Sequence, residues 1–121
     1  MTDYEKSNIL EQIEAAGRKI LPMHEYLAET DPEMLEAFNT FLNRSIYRKD
    51  GLDEGQKEMI LACACLVGGS TQPVIANHCR RALAAGFDRD HLLQALEISA
   101  AVMATRGMAG GINALIEAEE I

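Results

Sequence analysis

Nine apolar residues in an unbroken row, residues 59–67 (Met-Ile-Leu-Ala-Cys-Ala-Cys-Leu-Val), constrain this chain more than any other feature. Asp53 can cap a helix ahead of the run, and Gly68-Gly69 closes it. Nothing in the run alternates with period two, as a half-buried strand would. It reads as a helix that is apolar all round, and such a helix must be covered on every side. Residues 92–104 repeat the problem, since Leu92, Leu93, Leu96, Ile98, Val102 and Met103 leave that helix little polar surface. A chain of 121 residues can enclose one such helix and struggles to enclose two. Self-association through an apolar helical surface resolves this, and closed symmetric assemblies are its usual form. The alternative is a tight monomer in which Ala and Gly let helices approach closely.

Helix punctuation runs through the rest of the chain, and strand signals are nearly absent. Ser7 can cap a first helix bearing Ile9, Leu10, Ile13, Ala16 and Ile20 at helical spacing, which Pro22 ends or kinks. A short segment follows, residues 23–29. Asp31-Pro32 then starts a second long helix with Met34, Leu35, Phe38, Phe41, Leu42 and Ile46 on one face. Lys49-Asp50-Gly51 is a turn before the helix of the apolar run. Gln72-Pro73 opens the next helix, which Gly86 closes. Asp88 caps the one after it; the glycines between 107 and 111 are expected to break that helix, leaving a short last one over residues 112–119. The expected fold is all-α, a small bundle of about five to six helices in one domain spanning residues 1–121.

At this size a folded chain exposes roughly 6,500 Å² of about 19,000 Å², so a core is available without disulfides. Nineteen acidic against eleven basic residues give a formal charge of −8. Such a surface repels phosphate backbones and anionic lipid, and no basic stripe or aromatic platform offsets it. Neither nucleic acid nor a membrane is expected as a partner. The first six residues are polar and acidic, unlike a signal peptide, and no apolar run approaches the ~20 residues of a membrane helix. Three cysteines, two of them inside the apolar run, fit reduced thiols in a cytoplasm.

His78 is the first candidate for chemistry, because imidazole titrates nearest neutrality. Its spacing from Val74 and Ala82 puts it on or beside a buried face, either satisfied structurally or serving as acid and base. Glu58 is either a solvated residue of its helix's first turns or the partner that fixes the tautomer of His78. His24 and His91 read as surface residues. Cys63 and Cys65 point to nearly opposite sides of one helix and cannot bridge each other. A Cys65–Cys79 pair across two helices is conceivable, although buried packing is the ordinary role of such residues. No zinc spacing, nucleophile elbow or phosphate loop is present, and no cofactor is implied. Asn43-Arg44-Ser45 matches a glycosylation sequon only formally.

The run Lys57-Glu58-Met59-Ile60-Leu61-Ala62, then Gly68-Gly69, then His78-Cys79-Arg80-Arg81-Ala82-Leu83-Ala84-Ala85-Gly86, resembles the carboxymuconolactone decarboxylase and alkylhydroperoxidase-D-like family. So do residues 88–97 and Gly110-Gly111-Ile112-Asn113-Ala114-Leu115. The likeness covers about residues 38–117. It implies a helical subunit that assembles as a dimer, trimer or hexamer, with sites at or near subunit contacts. The redox branch carries Glu, eleven residues, then Cys-x-x-Cys-x-x-x-His. Anchored on His78, its cysteine positions fall on Thr71 and Val74, so both thiols are absent, and its glutamate falls on Met59, one residue after Glu58.

The decarboxylase branch also lacks those cysteines and relies on acid–base chemistry. By this resemblance His78 is the acid/base and Glu58 its orienter. Arg80, Arg81 and Arg106, with Thr71, are the candidates for holding a small anionic metabolite. Two other readings stand beside it. One is thiol-dependent peroxide reduction through Cys65 or Cys79 in place of the missing pair. The other is a non-catalytic oligomeric module that binds a protein or a small ligand.

Overall fold

The computed structural model describes residues 2–120, except for the side chains of Tyr4, Lys6 and Ser7. The described residues form six helices and no strand: α1 (Asp3–Ala15), α2 (Pro22–Thr30), α3 (Pro32–Arg44), α4 (Glu54–Val67), α5 (Gln72–Ala84) and α6 (Arg89–Glu119). They group into two compact units, Met1–Lys49 and Asp50–Ile121.

In the first unit, helix starts are set by side chains that satisfy free backbone N–H groups. The Thr2 hydroxyl accepts the Glu5 N–H at 3.2 Å, and the Glu5 carboxylate accepts the Thr2 N–H at 2.7 Å. That backbone bond, with the Thr2 hydroxyl, holds the Glu5 carboxyl below the usual carboxylate range. α1 therefore begins at Asp3, and Ser7, expected as its cap, is a residue of the helix whose side chain lies outside the described set. The helix ends at Ala15, and Gly17 takes φ +79°, a left-handed conformation that suits glycine. Ile20 thus lies beyond the helix. Pro22, expected to end or kink α1, instead opens α2, where its missing N–H costs nothing. Asp31 caps α3 as its sequence indicates, accepting the Met34 N–H at 3.3 Å.

The core of this unit is Ile9, Ile13, Ala28 and Leu35, with Leu10, Ile20 and Leu27 packed against it. Leu35 is fully buried, whereas Met34, Phe38, Phe41 and Ile46, expected on the same face, remain exposed. His24 also departs from expectation. It is buried, at 4% exposure, because its ring turns back to bond the backbone of Leu21.

In the second unit Asp53 and Gln56 cap α4 reciprocally, the Asp53 carboxylate accepting the Gln56 N–H at 2.8 Å and the Gln56 Oε1 the Asp53 N–H at 3.1 Å. Gly69 (φ +84°) turns the chain into α5, and Gly86 (φ +87°) turns it into α6. Asp88 accepts the His91 N–H at 2.9 Å, which holds its carboxyl below the usual range. α5 and α6 both pack on α4. Ala62 of α4 and Ala82 of α5 are completely buried, and Leu92 of α6 nearly so. Gly55 permits a close approach: a Cβ there would meet the Phe87 Cβ at 3.1 Å.

The expected break between 107 and 111 does not occur. α6 continues for 31 residues, about 46 Å at 1.5 Å per residue. Glycine in a helix interior costs only about 1 kcal/mol relative to alanine, and no proline stops the helix. The flanking Ala, Met, Ile, Leu and Glu residues favour it. A Cβ at Gly110 would meet nothing within 4 Å. Gly110→Ala is therefore expected to stabilise the protein by about 0.5–1 kcal/mol, read as a rise in Tm. A fall in Tm would mean that another chain approaches this backbone closely.

Candidate functional site

The second unit brings two of the candidate residues together. Glu58 lies in the second turn of α4 and His78 midway along α5, and these helices pack side by side after the turn at residues 68–71. Glu58 Oε2 is 2.7 Å from His78 Nδ1. The two side chains are 13% and 17% exposed, so the bond is largely shielded from water. An ionised carboxylate only accepts, so Nδ1 carries the hydrogen in this pair. Nε2 is then the nitrogen not engaged by Glu58, a base when bare and an acid when protonated. The one-residue offset of Glu58 from the redox pattern does not prevent the contact.

The arginines occupy a different face of α5. Arg80 and Arg81, with Asn77 and Ala84, line a surface depression of about 270 Å³. These four positions recur at i, i+3, i+4 and i+7 and so share one side of the helix. Arg80 Nη1 donates to Asn77 Oδ1 at 2.5 Å, which fixes one edge of the guanidinium and leaves its other donors outward. Asn77 is not among the residues the sequence singles out, although its i,i+3 spacing to Arg80 is a usable sign. No hydrogen bond joins this cluster to Glu58 or His78 among the described residues.

The remaining candidates stand apart. Thr71 is the exposed N-cap residue of α5, and its side chain makes no capping bond. Arg106 is exposed on α6. Cys63, Cys65 and Cys79 are all free thiols of intermediate burial. Among the described residues no group of three or more His, Cys, Asp or Glu side chains could hold a metal ion. No described helix is long and apolar enough to cross a membrane.

Neither a curated protein nor a solved structure matches this chain. A family model does: residues 32–119 match that of the carboxymuconolactone decarboxylase family, a span that contains the shielded Glu58–His78 pair and all of the candidate arginines. On that match, and with six helices and no strand among the described residues, the chain belongs to the carboxymuconolactone decarboxylase family.

Proposed function

We propose that the protein is a homo-oligomeric enzyme that performs acid–base chemistry on a small anionic metabolite, with decarboxylation of a carboxylated unsaturated lactone as the reaction. The observation that carries this reading is the 2.7 Å bond between Glu58 and His78. In the proposed step the C–C bond to the substrate carboxylate breaks, and its electron pair passes into the conjugated system as a dienolate. Carbon dioxide leaves. The protonated His78 ring gives its Nε2 proton to the dienolate carbon and regains one from water. Glu58 holds the ring in the required tautomer and stabilises the imidazolium. Arg80 and Arg81 face away from His78 on α5, so within this proposal the cations that hold the substrate's anionic groups at one His78 are those of a neighbouring copy of the chain, with Arg106 and Thr71 as further contacts.

Self-association is supported by what a single chain leaves uncovered. Along α6, Leu93, Ile98, Val102, Met108, Ile112, Leu115 and Ile116 are all exposed large apolar residues. A patch of that extent is costly in water and is met by burial against another surface. Within this proposal the 121 residues act as one domain, and the three free thiols fit a reducing cytoplasm.

The test is carbon dioxide release from carboxylated unsaturated lactones by the purified full chain, compared with Cys65→Ser and Cys79→Ser variants. Turnover that survives both substitutions is expected. Turnover that either substitution abolishes would transfer the chemistry to a thiol and overturn the acid–base reading.

A further inference from the structure

The first unit contains a titratable group that the proposed reaction does not use. His24 is the third residue of α2, the position from which a capping box sends a Glu or Gln side chain back to the N-cap N–H. Here the ring does that work: the Leu21 N–H donates to His24 Nδ1 at 2.8 Å. Leu21 has no side-chain acceptor to return the favour, so this bond is the side-chain support of the α2 start. A glutamine would accept the same N–H at any pH. Histidine accepts it only while Nδ1 is bare.

We propose that His24 is an acid-releasable clasp on the N-terminal unit, in which protonation of Nδ1 removes the acceptor for Leu21 N–H and frees the start of α2. The surroundings oppose a charge on the ring. It is 4% exposed, and burial, then the guanidinium of Arg18, holds its pKa below the ordinary histidine range. Arg18 cannot easily swing away, since it donates to Asn39 Oδ1 of α3 and lies 4.4 Å from the centre of the Tyr47 ring.

The direction follows from linkage. The opened segment takes up a proton near the usual histidine pKa of about 6.5, while the closed one resists it. The closed state is therefore fully favoured above that pH. It loses ground as pH falls from there toward the lowered pKa of the buried ring. One proton sets the steepness at no more than about tenfold in the opening constant per pH unit.

Amide hydrogen exchange on the full-length protein, corrected for the intrinsic pH dependence of exchange, tests this. The expected result is an opening constant for the Leu21 and Leu27 amides that climbs several-fold as pH drops below about 6.5. His24→Gln keeps the acceptor and loses the titration, so its exchange at these amides should be flat across the same range. Acid opening of equal size in His24→Gln would overturn the proposal. Should that variant not fold, nitrogen NMR of the wild-type imidazole decides: a neutral ring with hydrogen on Nε2 supports the clasp, and hydrogen on Nδ1 at neutral pH rules it out.

Discussion

His78→Gln is expected to lower the rate of carbon dioxide release by about 10²–10⁴-fold, the usual worth of a positioned acid or base. The glutamine amide still has a donor for Glu58, but it has no nitrogen that exchanges a proton near neutrality. The loss should fall on kcat, and the helical circular dichroism of the variant should match that of the parent. A variant that keeps full turnover would remove His78 from the chemistry. The short bond to Glu58 would then be a buried polar contact that only serves the packing of α4 on α5.

Much of the architecture was legible because helix ends are written in short local codes. Asp31-Pro32, Asp53 with Gln56, Gly69, Gly86 and Asp88 all act where their chemistry indicates. The failures have particular causes. Ser7 and Thr2 are both good caps, and Thr2 prevails because Glu5 completes a reciprocal pair with it. Gly107, Gly110 and Gly111 look like breakers in the sequence, yet glycine without a cap or a proline only weakens a helix. His24 follows Pro22-Met23 beside Glu25, and its burial depends on a ring-to-backbone bond that spacing does not reveal. The same limit applies to the site. Helical periodicity put His78 near a buried face but left Glu58 either solvated or paired, because the register between α4 and α5 is a tertiary fact. The face shared by Asn77 and the arginines is set by i,i+3 and i,i+4 spacing within one helix, a local pattern in which Asn77 draws no notice until its bond to Arg80 is seen.

A second large effect is expected at Leu35. It is completely buried in the α1–α3 core, where three other apolar residues, Ile9, Ile13 and Ala28, are buried among the described residues. Leu35→Ala removes the methyl groups and leaves a cavity, a combined cost of about 2–5 kcal/mol. A unit of this size holds only a few kcal/mol of stability in total, at about 0.05–0.15 kcal/mol per residue. The variant should therefore lose amide protection throughout α1, α2 and α3, while the Ala62 amide in α4 keeps more of its own. Unchanged protection in α1–α3 would mean that Ile9, Ile13 and Ala28 are not a core that depends on Leu35.

Glu58 is proposed to act through His78, and a double-mutant cycle on kcat probes that dependence. Glu58→Gln, His78→Gln and the double variant are compared with the parent in the same carbon dioxide release assay. Residues that act as one unit are non-additive. Glu58→Gln alone is expected to slow turnover by at least about tenfold, and the double variant to be no slower than His78→Gln, within roughly a factor of two. Losses that multiply in the double variant, or a Glu58→Gln enzyme as fast as the parent, would contradict that dependence.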